Sequence, residues 1–264
     1  MLMIIIYFAV FLLSCTLGSI IGIGGSLIAR PTLDSIGYHG IANIAFLTSA
    51  TNVSMAATSI YKQSQGGMKI EFLKVALVCA GSMIGGIIGD QILRVPAGLI
   101  GETNMQIAQT TATIVFLGLA IYFTEKCRLR YEIKNKILYV LLGVILGAVA
   151  VFLGIGGGPL NVPVFMILFS LPVKQATLYS LAIMVFSHSS RLITMGFTGT
   201  ALGYMEFDLN YLPFIIPAAI FGGIFGAKLS KKMSDHAVKR TFSVAMCLII
   251  AINLFNLVSF IKVN

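Results

Sequence analysis

The sequence is poor in charged side chains, and acidic ones are the scarcest. Only 10% of its 264 residues are Asp, Glu, Lys or Arg, and nine of these are acidic. The acids are scattered near predicted helix ends, without HExxH or a comparable constellation that would support metal or carboxylate chemistry within a membrane. We therefore do not expect an enzyme.

Cysteine is also scarce, and its spacing excludes further classes. The four cysteines form no CxxC or Cys/His pattern, and three of them lie within apolar segments, where a thiol behaves as a small hydrophobic group. The sequence therefore predicts no disulfide framework, no metal site and no cofactor.

Apolar residues, by contrast, make up 58% of the chain, and the mean hydropathy is +0.97. Several apolar runs reach about 18 to 25 residues, the length that crosses a hydrocarbon core of about 30 Å. The first run lacks the basic region of a signal peptide, so we interpret it as a retained membrane segment. The sequence predicts an all-α polytopic protein of the lipid bilayer.

The net charge of +9 does not indicate a nucleic-acid partner. Lys and Arg are confined to short segments between apolar runs, which is typical of cytoplasmic loops of membrane proteins. We expect no nucleic acid to bind.

A glycine-rich break occurs twice in the chain. GIGGSLIARP at 22–31 matches GIGGGPLNVP at 154–163, and GGIIGDQIL from Gly85 matches GGIFGAKL from Gly222. This pattern indicates an internal duplication. We expect a first membrane repeat at 1–124, a basic cytoplasmic linker at 125–136 and a second membrane repeat at 137–264.

Each repeat is predicted to contain one glycine-broken segment followed by three long helices. These helices are expected at 41–61, 71–93 and 105–124, then at 175–197, 209–230 and 239–262. If the broken segment is a re-entrant hairpin, the halves are inverted and most Lys and Arg side chains fall on one side of the membrane. If instead its first arm crosses the membrane, Lys and Arg are distributed about equally between the two sides. We therefore favour inverted repeats in the plasma membrane, with basic loops in the cytoplasm and both termini outside.

The repeated break favours a binding site at membrane depth. Irregular backbone is tolerated there only where it is buried in protein or lines a cavity. Glycines permit positive φ and close approach, and the helix that restarts after them offers free N–H donors and a positive dipole end, which suit an anion. Isolated pairs such as Gly81 with Gly85, or Gly222 with Gly226, instead favour close helix packing.

Each copy of GIGG[GS] is followed by proline, then by a helix rich in small and hydroxyl residues, AFLTSATNVSMAATS or ATLYSLAIMVFSHSS, and then by a GGxxG helix. With these motifs the chain resembles the sulfite exporter TauE/SafE family of membrane transporters, of the 4-toluene sulfonate uptake permease type. The resemblance covers nearly the whole chain. It implies transport of sulfite, a sulfonate or a related organosulfur anion. Ser26 departs from the more usual third glycine and adds a hydroxyl.

Thirteen residues at and near the breaks are candidates for binding this small anion. They are Gly22, Gly24, Gly25, Ser26, Arg30, Gly154, Gly156, Gly157, Gly158, Asn161, Ser187, His188 and Arg191.

Several of these candidates have a second interpretation. Arg191 shares a helix stripe with Ser187 and is expected either to bind an oxyanion or to extend to the outer interface. Arg30 would bind the anion or pair with Asp34. Asn161 would bind substrate or cap a helix, and His188 would relay a proton or join two helices.

Other functions remain open at this point. A passive anion channel would share the same breaks, and a membrane scaffold without substrate would explain the apolar bulk but not the breaks. A homo-oligomer and a coupling proton or sodium ion are compatible with a transporter. The working mechanism is alternating access at a midplane site.

Overall fold

The computed structural model describes residues 2–65, 71–126, 131–133, 135–154, 158–201 and 207–263, and only the backbone at 93–98, 102, 198–201 and 262–263. Within these ranges the chain is helical and has no strand. The helices are α1 (Leu2–Ile21), α2 (Ser26–Ile36), α3 (Ile41–Ser64), α4 (Phe72–Ile100), α5 (Glu102–Glu125), α6 (Lys136–Leu153), α7 (Gly158–Leu168), α8 (Val173–Ala201), α9 (Leu212–Lys232) and α10 (Asp235–Val263).

The helix order is the same in the two halves of the chain. An arm of 20 or 18 residues (α1 or α6) precedes an 11-residue helix (α2 or α7), and three long helices follow. The six long helices expected from the sequence are all present, although α4 and α8 extend further than predicted. The 11-residue helices are about 16 Å long, half of a hydrocarbon core, and each contains a proline at its sixth position.

The composition of the helix surfaces is that of an integral membrane protein. In the described part of the chain, six helices are long and apolar enough to cross a bilayer: α1, α4, α5, α6, α9 and α10. Large apolar side chains such as Phe72, Leu99 and Phe197 are exposed on the outside. The long helices α3 and α8 are more polar, and their buried polar side chains, Asn52 and His188 among them, show that they lie inside the bundle.

The two halves interleave rather than lie side by side. The first arm of each half packs along the fourth helix of the other, α1 with α9 and α6 with α4, and α3 packs on α8. Gly81 and Gly85 on α4 lie against the backbone of α6, and Gly222 and Gly226 on α9 lie against α1. The close-packing role predicted for these glycines is confirmed.

Each broken segment folds back on itself. Near the start of α1, the Tyr7 hydroxyl lies 2.7 Å from His39 Nδ1, just after α2. Near the start of α6, the Tyr139 ring lies 5.3 Å from the Phe169 ring, just after α7. Each hairpin therefore begins and ends at the same end of the bundle.

Candidate functional site

The two glycine breaks touch each other. A side-chain carbon added at Gly158 would collide with the backbone of Gly22 and Ile23. Ser180 Oγ, on α8, donates a 2.6 Å hydrogen bond to the Gly22 carbonyl, and Thr177 packs on the same glycine. The breaks of the two halves therefore meet beside α8.

The glycines of the first break have different roles. Gly22 (φ 73°) and Gly24 (φ 89°) lie in the left-handed region, where residues with a side chain are strained. Gly25 has ordinary helical dihedrals, and the Cys15 side chain occupies the space that a side chain at Gly25 would need. The first two glycines turn the chain, and the third allows a close approach.

Asn52 of α3 binds the start of α2. Its Oδ1 accepts a 3.1 Å hydrogen bond from the Ser26 N–H, and its Nδ2 donates a 2.7 Å bond to Ser26 Oγ. Gly24 lies against both Asn52 and Met184. One amide at the start of α2 is thus already satisfied, while within the described residues the Ser26 hydroxyl donates no hydrogen bond. Asn52 was not among the thirteen candidates predicted from the sequence.

The second break begins where α6 ends. Gly154 adopts the left-handed conformation (φ 65°) and its N–H bonds to the carbonyls of Ala150 and Val151. Gly156 and Gly157, two of the candidate ligands, lie outside the described residues. Gly158 then begins α7 and is followed by Pro159, which is tolerated in a first turn because its missing N–H has no partner there.

Asn161, in the first turn of α7, is the most unusual polar side chain near the breaks. It is fully buried, and among the described residues neither its amide nitrogen nor its oxygen has a hydrogen-bond partner. Buried polar groups are nearly always satisfied in proteins, and leaving one unsatisfied costs about 1–3 kcal/mol. This amide is therefore available to a ligand.

His188 offers a second available polar atom. Its ring is fully buried, Nδ1 lies 3.1 Å from Ser49 Oγ on α3, and Nε2 has no partner in the described part of the chain. His188 lies one turn beyond Met184, and Ser49 one turn before Asn52. Because Met184 and Asn52 both contact Gly24, the His188–Ser49 pair forms the layer next to the first break.

Arg191 has a partner that the sequence did not suggest. Its Nε donates a 3.1 Å hydrogen bond to Asp90 Oδ1 on α4, and both side chains are fully buried. The alternative in which Arg191 extends to the interface is therefore wrong. Asp90 also lies four residues before Arg94, whose side chain lies outside the described part.

The polar side chains of α8 contact two different neighbours, the first break and α4. Ser180 faces the first break, whereas Ser187 bonds its Oγ to the Met184 carbonyl of its own helix, 3.4 Å away. The Ser187 backbone packs on Gly86 of α4. Ser187 and Arg191 therefore both lie at the α4 interface, and the placement of each as a substrate ligand stays a prediction.

Arg30 links the two breaks. Its Nη2 donates to Gln109 Oε1 on α5, and its Nε lies 3.8 Å from Asp34 Oδ2. The guanidinium also lies directly over Gly154 of the other half, leaving no room for a side chain there. Arg30 therefore makes the predicted contact with Asp34 and also reaches the second break.

Gly158→Ala is expected to lower the free energy of unfolding by about 1–3 kcal/mol, because the added methyl group overpacks the contact between the breaks. Thermal unfolding of the purified protein measures this. Gly118→Ala on α5 is the matched control, since nothing lies within 4 Å of a carbon added there; we expect it to be neutral or to stabilise by up to about 1 kcal/mol. Equal effects of the two substitutions would contradict a direct contact between the breaks.

Long apolar helices that enclose two touching helix breaks are typical of membrane transporters. The family model described as Sulfite exporter TauE/SafE matches residues 7–254. The chain belongs to this family of membrane transporters and is not an enzyme.

A relative in Bacillus subtilis (strain 168) has the description "Probable membrane transporter protein YunE". It is 30% identical over 112 residues, which are 42% of this chain and 38% of that protein. The match thus spans less than half of the relative. No solved structure matches the chain.

Proposed function

We propose that this protein carries a small sulfur-containing anion, such as sulfite, a sulfonate or a related organosulfur anion, across the plasma membrane by alternating access. The observation that carries the proposal is the pair of buried polar groups at the breaks, Asn161 and the Nε2 atom of His188, that have no partner among the described residues. The family description supports the sulfur chemistry.

The donors at the breaks suit an oxyanion. The Asn161 amide and the Ser26 hydroxyl are uncharged donors, and the start of α7 adds a positive dipole end. Arg30 supplies one planar guanidinium, which matches the spacing of sulfonate or sulfite oxygens. One cation among uncharged donors favours a monoanion.

The burial of the site supports a carrier rather than a passive anion channel. Ser26, Asn161 and His188 are all fully buried. A substrate among them would be enclosed by protein, which alternating access requires and a continuously open pore does not.

The contacts at the hairpin ends support inverted halves. The open end of the first hairpin contacts Asp208 through His39, just before α9. The open end of the second contacts the linker at Ile133, at the end of the bundle where Glu125 and Lys239 join α5 to α10. Because α9 runs from the first end to the second, the hairpins open at opposite ends. We propose that the linker end is cytoplasmic.

Flux into proteoliposomes tests the proposed function. We expect saturable uptake of radiolabelled sulfite, counterflow when the vesicles are preloaded with unlabelled sulfite, and competition by short sulfonates but not by carboxylates. Vesicles without protein are the control. A steady single-channel current would replace the carrier by a channel, and the absence of flux and binding for every sulfur oxyanion would favour a scaffold without substrate.

A further inference from the structure

A loose, buried ion pair lies between α2, α5 and α10. Arg30 Nε and Asp34 Oδ2 are 3.8 Å apart, and their side chains are only 5% and 10% exposed. Charge-assisted hydrogen bonds are about 2.7–2.9 Å long, so this contact is weak. Asp34 Oδ1 and Arg30 Nη1 have no hydrogen-bond partner in the described part of the chain.

The surroundings of the pair are polar but uncharged. A cavity of about 10 Å³, room for a single water molecule, lies beside the pair, between α2, α5 and α10. Its other lining residues are Gln106, Gln109, Thr110, Thr113 and Asn253. Asp34 therefore depends on Arg30 for neutralisation of its charge, and a water molecule has access to it.

The titratable groups of the neighbouring helices lie elsewhere. His39, just after α2, is held by Tyr7 and Asp208. The remaining described ones on α1, α3, α5 and α10 are Cys15, Tyr61, Lys62, Tyr122, Glu125, Asp235, His236, Lys239, Arg240 and Cys247, and none of them lines the cavity.

Arg30 stands between two anions in the proposed cycle. One side of the guanidinium faces Asp34, and another lies on Gly154 of the second break. If an anion at the break takes the guanidinium as its partner, Asp34 becomes a buried carboxylate without a counter-charge. Such a group is so costly that it takes up a proton instead.

We propose that Asp34 is a proton-binding site coupled to the anion site, so that each anion bound by Arg30 brings one proton onto the Asp34 carboxylate. This inference rests on the proposed function. The proton comes from the aqueous phase through the water-sized cavity, and it leaves again when the anion departs and Arg30 returns to Asp34. One monoanion and one proton then cross together, and transport is electroneutral.

The first test measures proton linkage with methanesulfonate, which stays ionised across the pH range used, so that any proton taken up is bound by the protein. We expect uptake of one proton per bound anion, measured by titration calorimetry in buffers of different ionisation enthalpy. Affinity should rise tenfold for each unit by which the pH falls. In Asp34→Asn, binding should persist with no proton uptake and no pH dependence. Glu71→Gln removes the charge of an exposed carboxylate that pairs with Lys74, and this control should behave like the wild type.

The second test needs no ligand. In Arg30→Gln the cation is gone, so infrared spectra should show the carbonyl stretch of a protonated carboxylic acid that is absent from the wild type and from Arg30→Gln with Asp34→Asn. Absence of this band would overturn the proton site.

The two tests distinguish a failure of the proton coupling from a failure of the proposed function. Methanesulfonate binding without proton uptake overturns the coupling and leaves the anion site intact. If no sulfur oxyanion binds, the proposed function fails, and the infrared band still decides whether Asp34 takes up a proton when it loses Arg30.

Discussion

Arg191→Ala is expected to destabilise the protein by about 3–5 kcal/mol, because it removes one partner of a fully buried ion pair and leaves the Asp90 carboxylate within the bundle. Thermal or denaturant unfolding in detergent measures the loss. The combination Arg191→Met with Asp90→Leu should recover most of it, since apolar residues of similar volume replace buried ion pairs at little cost.

An exposed ion pair provides the control for this experiment. Lys239 and Glu125 are 3.3 Å apart with side chains 30% and 41% exposed, and Lys239→Ala should cost less than about 1 kcal/mol. If Arg191→Ala instead left stability unchanged and abolished anion binding, the role of Arg191 would be that of a substrate ligand rather than a structural one.

Asn161→Leu is expected to stabilise the ligand-free protein by about 1–3 kcal/mol and to abolish anion binding. The substitution keeps the number and branching of the side-chain heavy atoms and removes an amide that has no partner among the described residues. In the wild type, an anion at about 100 times its dissociation constant should add roughly 2.7 kcal/mol of stability. In Asn161→Leu this increment should disappear.

Asn52→Leu is the matched substitution and should have the opposite effect on stability. It removes both hydrogen bonds to Ser26 and leaves buried donors and acceptors unsatisfied, so we expect a loss of about 1–3 kcal/mol. Unfolding midpoints of the two variants, with and without sulfite, make the comparison. A destabilised Asn161→Leu would show that the amide has a structural partner and would remove the main support for the anion site.

The local sequence predicted the long helices, the turns at the glycine breaks and the glycines that pack closely between helices. A run of glycines followed by proline marks the breaks, and positive φ at Gly22, Gly24 and Gly154 confirms that the chain turns there. Glycines spaced by four within apolar runs mark close helix packing. Both conclusions depend on features within a few residues of one another.

Partners across the bundle were not predictable in the same way. Ser187 and Arg191 share one face of α8, but only the packing of α4 against that face supplies Asp90 and Gly86. Arg30 was expected to bind the anion or to pair with Asp34, four residues away, whereas its contacts with Gln109 and Gly154 require α5 and the other half of the chain. Helical periodicity gives the direction of a side chain, but not what lies opposite it.

The interleaved halves have a consequence for biogenesis. Asp90 is synthesised 101 residues before Arg191, and α4 packs mainly on α6 and α8, which also follow it. The final packing of α4 therefore forms only after α6 and α8 have been synthesised.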